Sequence, residues 1–180
     1  MISLPEKIVL LHQALAAAEI PHAFGGALAL AWCTQHARGT VDIDINIFVS
    51  IEESQKVFSG LPAGIVWTDK DLVVVHREGQ VRLFWGNTPI DIFLNTMKLH
   101  DGMARRCRWE IFVGQSIPFL SCHDIAVLKV FFNRTKDWAD LEAMQEAGTL
   151  DYARVTATII EYLGADDERV AKLSDLLPDL

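Results

Sequence analysis

The run Val-Asp-Ile-Asp-Ile-Asn-Ile-Phe-Val at residues 41–49 constrains this chain more than any other stretch. It opens with strict alternation of apolar and polar residues, the period of an extended strand whose successive side chains point to opposite faces. Ile43 and Ile45 then turn into a core, and Asp42 and Asp44 share the other face. Two carboxylates about 5 Å apart, at an effective dielectric near 20, repel each other by about 3 kcal/mol, so the pair calls for a cation or a shared proton. A hard divalent ion with oxygen ligands, such as magnesium, answers that need. An exposed polar strand face accounts equally well for Asp-x-Asp taken alone.

The segment before this strand adds a second signal. His22 to Phe24 reads as a short extended piece that runs into Gly25-Gly26 and then into the helix formers of residues 27–32. At a strand-to-helix turn, missing Cβ atoms let the backbone approach a ligand, and the first helical N–H groups suit phosphate oxygens. A glycine pair alone is ordinary tight-turn geometry. Its weight here comes from Arg38, Thr40, Asp42 and Asp44, which follow within the same short stretch.

The remaining pattern divides the chain. Ile8, Leu11, Leu15 and Ala18 predict an amphipathic helix over residues 5–19, stopped by Pro21. Strands are expected at 72–77 and 80–85, joined through Glu78-Gly79, and at 88–94, 107–113 and 116–120. From Ser121 the pattern becomes helical: Ser121 and Asp124 form a capping box with a short acid, and helical periods recur at Leu141 and Met144, at Val155, Ile159 and Leu163, and at Val170, Leu173 and Leu177. The expected fold is α+β, with a mixed sheet flanked by helices over 1–120 and a helical subdomain over 121–180 packed on it. No apolar run reaches the roughly 18 to 20 residues of a membrane-spanning helix, and no signal-type segment opens the chain, so a cytoplasmic location without membrane contact is expected. Cys33, Cys107 and Cys122, odd in number and far apart, read as reduced thiols, two of them buried.

A net charge of −8 argues against a nucleic-acid binder with a broad positive surface. Residues 95–136 are the exception, with 7 basic and 3 acidic residues. Arg105, Arg106, Arg108, Lys129, Arg134 and Lys136 form a phosphate-binding face if the fold gathers them; otherwise they are solvated helix faces and loops.

Phe-Gly-Gly-Ala-Leu-Ala-Leu at 24–30, followed by Arg38-x-Thr40-x-Asp42-Ile-Asp44, resembles the signature of the DNA polymerase β-like nucleotidyltransferase superfamily, in particular its AbiEii-like abortive-infection toxin branch. The resemblance implies a nucleotidyltransferase-like sheet on which the glycine turn holds a nucleoside triphosphate and the paired carboxylates bind two divalent ions, Mg2+ or Mn2+. Asp91, in Pro-Ile-Asp-Ile-Phe-Leu at 89–94, is the strong candidate for the third carboxylate and metal ligand. Residues 129–140 are similar to the lysine and Lys-Asp-x-x-Asp motifs of that branch, which implies catalytic roles for Lys129 and Asp137. On a continuous helix, Lys129, Asn133, Lys136, Asp137 and Asp140 share a face. The alternative is a snorkelling Lys129, with Asp137 as a helix N-cap and Asp140 in the first turn.

The activity implied is metal-dependent transfer of a nucleoside monophosphate from a triphosphate to an acceptor hydroxyl or phosphate. Asp42, Asp44, Asp91, Lys129 and Asp137 are its catalytic set. Gly25 and Gly26 cradle phosphates, Arg38 or Lys129 supplies positive charge, and Thr40 orders the turn. A toxin–antitoxin enzyme acting on RNA or on a protein acceptor, with a cognate antitoxin or toxin as partner, fits the branch. Ala27 departs from the pattern, since many active members present a serine or threonine hydroxyl at or beside the turn. A catalytically silent nucleotide-binding or protein-interaction member of the same fold is the alternative.

Overall fold

A computed structural model describes residues 2–37 and 39–176. Helix α1 (Leu4–Ala17) starts where the Ser3 N–H and hydroxyl both donate to the Glu6 carboxylate at 2.7 Å, and it buries Ile8, Leu11 and Leu15 completely. Strand β1 (His22–Phe24) leads through Gly25 into α2 (Gly26–Thr34), and β2 (Ile43–Ser50) follows. After a short 3-10 turn come α3 (Ser54–Ser59), β3 (Ile65–Val66) and α4 (Asp69–Glu78). Next are β4 (Gln80–Trp85), β5 (Thr88–Asn95), α5 (Lys98–Arg106), β6 (Arg108–Phe112) and β7 (Gln115–Phe119). Four helices complete the described chain: α6 (Cys122–Phe132), α7 (Thr135–Glu146), α8 (Tyr152–Leu163) and α9 (Glu168–Ser174).

The chain divides into two compact units, Met1–Leu28 with Gly39–Leu120, and Ala29–Arg38 with Ser121–Leu180. The first holds a seven-stranded mixed sheet in the order β3-β4-β5-β2-β1-β7-β6. Its centre is the parallel pair β2 and β5, in which Ile43, Ile45 and Ile47 register with Ile90, Ile92 and Leu94. These six side chains are at most 2% exposed. Each fully buried branched side chain of this kind contributes roughly 1.5–3 kcal/mol, so slipping the register by one residue would lose the largest block of apolar burial in the sheet. The α+β class and the mixed sheet flanked by helices are as the sequence pattern implies.

The second unit is helical. Ile125, Ala126, Val127 and Val130 of α6, Leu141 and Met144 of α7, Val155 and Ile159 of α8 and Leu173 of α9 are buried in it. The Ser121 side chain accepts the Asp124 N–H at 3.2 Å, as the short-acid capping box requires. Leu177, the last residue of the helical period, lies outside the described residues.

Three expectations are corrected. Residues 72–77 are helical, within α4, although Leu-Val-Val-Val favours a strand. Both ends of α4 are capped: the Asp71 carboxylate accepts from the Thr68 N–H and hydroxyl, each at 2.8 Å, and Gly79 closes the helix at φ 69°. With the caps fixed, the segment is held as a helix that buries Val75 and turns Val73 outward at 64% exposure. Residues 129–140 do not form one helix, because Asn133 takes a left-handed conformation at φ 53° and ends α6. The cysteines are not all thiols: Cys33 and Cys122, 89 residues apart, are joined in a disulfide within the second unit with a Cα–Cα distance of 5.4 Å, and Cys107 keeps a thiol that donates to the Met103 carbonyl at 3.3 Å.

Candidate active site

The first unit brings the glycine turn and the aspartate strand into contact. The Gly25 N–H donates to the Asp44 carbonyl at 2.9 Å, which ties the turn to the start of β2. Gly26 has φ +52°, and a Cβ built on it would lie 1.8 Å from Asp44 Oδ2. Glycine is required there twice over, for the left-handed backbone and for the space that the Asp44 carboxylate fills. Gly25 is as tightly placed: a Cβ there would fall 2.9 Å from Asn46 Nδ2.

Asp42 immediately precedes β2 and is oriented locally. The Thr40 hydroxyl donates to Asp42 Oδ1 and to the Asp42 carbonyl, and the Asp42 N–H donates back to Thr40 Oγ1 at 3.4 Å. Arg38, assigned to the same turn from the sequence, lies outside the described residues.

Asp91 is the register partner of Asp44 across the parallel pair β2–β5. On the far side of β5 the antiparallel partner of Asp91 is Arg82 in β4. Three neighbouring strands therefore carry the row Asp44, Asp91, Arg82. Arg82 Nε donates to Asp91 Oδ1 at 2.7 Å and Nη2 to Asp91 Oδ2 at 2.6 Å, a two-pronged pair. The Asp91 hydrogen bonds and charge hold the Arg82 guanidinium further into its protonated form, and the charges of Asp42 and Asp44 add to this. Arg82 thus stands in the field of all three carboxylates.

The carboxylates are hard oxygen donors suited to a divalent ion such as magnesium. Among the described residues, no group of three or more His, Cys, Asp or Glu side chains is gathered as a metal ion would need. Arg82 occupies both oxygens of the third carboxylate. Asp42 and Asp44 are the residues whose chemistry fits an ion beside the glycine turn, and Asp91 joins them only if the guanidinium moves.

Lys129 and Asp137 belong to the second unit and are held in a network of their own. Lys129 Nζ donates to Asp140 Oδ2 and, at 3.4 Å, to Asp137 Oδ1. Arg134 grips Asp137 through Nε at 2.6 Å, Nη2 at 3.1 Å and its backbone N–H at 3.2 Å. Burial opposes the charge on Asp137 more than any single contact supports it, yet the Arg134 hydrogen bonds with the Lys129 and Arg134 charges together hold its carboxyl below the usual carboxylate range. Asp137 is fully buried in the third position of α7, and Asp140 lies one turn on.

Sequence reasoning passed over Arg82 and Asn46. The signal for Arg82 was present: Gly86-Asn87 between two strands is a two-residue hairpin loop, and counting back from it sets Arg82 opposite Asp91. Asn46 continues the two-residue spacing of Asp42 and Asp44, and at 6% exposure it is buried.

No known family model matches the sequence, and no curated protein matches it. Solved structures do. The solution structure of the antibiotic-resistance factor ANT(2'')-Ia is 16% identical, with 93% of this chain and 95% of that one covered and a TM-score of 0.53. ANT(2'')-Ia in complex with adenylyl-2''-tobramycin is 12% identical over 97% of this chain and 95% of that one, with a TM-score of 0.52. An antigenic nucleotidyltransferase-like protein from Paracoccidioides brasiliensis is 14% identical over 95% and 92%, with a TM-score of 0.50. Among the described residues, no helix is long and apolar enough to cross a membrane. At 12–16% identity the likeness is one of fold, and the mixed sheet flanked by helices in this chain is like that of nucleotidyltransferase folds.

Proposed function

We propose that the chain is a metal-dependent nucleotidyltransferase that moves a nucleoside monophosphate from a triphosphate to an acceptor hydroxyl. The observation that carries this reading is the contact of Asp44 with the glycine turn: the carboxylate fills the space beside Gly26, so a cation held by Asp44 stands next to phosphates at the α2 N-terminus. Asp42, fixed by Thr40, supplies the second carboxylate, and Asp91 lies in register one strand away. A bound Mg2+ or Mn2+ would neutralise the leaving pyrophosphate and favour ionisation of the acceptor oxygen. The chain's own residues orient the triphosphate: Gly25 and Gly26 leave the turn open to its oxygens, and Asp42 and Asp44 fix where positive charge collects.

For the acceptor we favour a small molecule. One structural neighbour is described with an adenylylated small molecule, adenylyl-2''-tobramycin. The basic segment offers a weak RNA track, because Arg108 is paired with Glu110 at 2.7 Å and Lys129 and Arg134 are committed to Asp137. The AbiEii-like, toxin–antitoxin reading with an RNA acceptor is therefore the competing arm. The silent reading also has an observation behind it, the capture of Asp91 by Arg82.

The test is to incubate purified protein with each α-labelled triphosphate and Mg2+ or Mn2+, with either a panel of aminoglycosides or total RNA as acceptor. Label on a small molecule with release of pyrophosphate is expected. Label on RNA would replace the acceptor, binding without transfer would establish the silent member, and neither binding nor transfer would end the proposal.

A further inference from the structure

The sheet gives Arg82 a position that neither the glycine turn nor the aspartate motif predicts. Its strand is anchored, since Val81, Leu83 and Trp85 of β4 are buried at 7, 2 and 8% exposure while Arg82 points the other way. Its head can be reached from solvent: the Arg82 side chain is 53% exposed, against 19% for Asp91. A two-pronged guanidinium–carboxylate pair occupies both Asp91 oxygens, and an arginine never gives up its proton near neutral pH. A metal ion can reach Asp91 only by displacing that head. A half-exposed pair of this kind is held weakly enough to be exchanged for a doubly charged ion.

We infer that Arg82 is a tethered cation that closes Asp91 to divalent metal in the nucleotide-free protein and swings to the phosphate oxygens of the triphosphate when the metal–nucleotide complex enters. This rests on the proposed function for the identity of the ligand. In its consequence it is separate: metal and triphosphate must bind with positive coupling, because each removes one half of the Arg82–Asp91 pair. The metal replaces the guanidinium on the carboxylate, and the phosphates replace the carboxylate on the guanidinium. Metal alone leaves the guanidinium beside a cation, and triphosphate alone leaves Asp91 bare beside two further carboxylates. Neither half-step is favourable.

The experiment is titration of Mn2+ followed by electron paramagnetic resonance and by calorimetry, with and without a non-hydrolysable triphosphate. It uses wild type, Arg82→Gln and Arg82→Lys, with circular dichroism to check that each is folded. Arg82→Gln should bind Mn2+ without nucleotide about tenfold tighter than wild type and should lose most of the enhancement that triphosphate gives. Arg82→Lys keeps the charge without the two-pronged geometry and should fall between them. If wild type binds Mn2+ with triphosphate and Arg82→Gln has the same nucleotide-free affinity and the same coupling, the Arg82 inference is overturned and the proposed function stands. If wild type binds no metal in either condition but Arg82→Gln does, Arg82 is a permanent lock and the enzymatic reading falls instead. Absence of Mn2+ binding in every protein overturns both.

Discussion

In the first unit three aspartates act on one guanidinium, which pairs with a partly exposed Asp91; in the second, two buried aspartates are held by Lys129 from within and by Arg134, itself half open to solvent, from outside. The residue types are the same and the burial of the carboxylates is not. Around Arg82 the carboxylates come from β5 and from β2 and the residue before it, and the pair with Asp91 can be reached from solvent. Around Asp137 both carboxylate oxygens are engaged, and the groups sit on the last turn of α6 and the first turns of α7, where they fix how α7 begins. Carboxylates set side by side next to a glycine turn and within reach of solvent are suited to a ligand, and carboxylates buried against their cations are suited to holding helices.

The comparison breaks most easily at Lys129. Lys129→Ala leaves Asp140 and Asp137 buried with a missing cation, and by the usual cost of stranding a buried charge it should lower stability by about 3–5 kcal/mol. Urea unfolding measures this. A loss under 1 kcal/mol together with abolished nucleotidyl transfer would move Lys129 from architecture to chemistry.

Acid separates the two units next. His22 is 7% exposed, and burial, opposed by its hydrogen bond to the Ile20 carbonyl and helped by the neighbouring His12, lowers its pKa from 6.5 to about 4. The folded chain keeps His22 neutral over a range where the unfolded chain takes up a proton, so stability is full above pH 6.5 and declines as pH falls towards 4, by on the order of 2–3 kcal/mol. Asp137, whose pKa is depressed, contributes stability above its ordinary value of 3.8 and loses it only below that. Unfolding midpoints at pH 7, 5 and 4 should therefore fall before the Asp137 network titrates, and His22→Gln should flatten the upper part of the curve. An unchanged slope in that variant would remove His22 as the cause.

The smallest effect on stability belongs to the aspartate pair. Asp42→Asn with Asp44→Asn removes the repulsion between the two carboxylates, so stability should stay level or rise by up to about 1 kcal/mol. Calorimetric titration with magnesium and triphosphate should lose its signal in the same double variant. Retained affinity would show that the aspartate pair is not a ligand site.

Much of this face was legible in the sequence. The alternation around Ile43 and Ile45 sets β2, the Gly25-Gly26 pair marks the turn, and Pro-Ile-Asp-Ile-Phe-Leu marks β5, because local periodicity and the lack of Cβ atoms both leave direct traces. What stayed hidden depends on partners far away or on ends. Helix α4 is decided by Thr68, Asp71 and Gly79, not by the valines between them. The break lies in two residues, a left-handed Asn133 and an extended Arg134, and it splits the face that a continuous helix would give to Lys129 and Asp137. Cys33 and Cys122 have no common local pattern at all. Arg82 lies between these cases, readable once the hairpin register is counted, yet silent in any motif that stops at carboxylates.

The disulfide has a consequence for how the chain is made. Residues 29–38 belong with residues from 121 onward, and the strands β2 to β7 are all synthesised between those two segments. At ordinary rates of translation the stretch between them takes roughly 4 to 16 s to emerge. Throughout that interval the second half of α2 has no helical unit to join, and the partner of Cys33 is not yet translated. The bond between Cys33 and Cys122 is therefore a late tie, open to formation only after every strand of the sheet has been made.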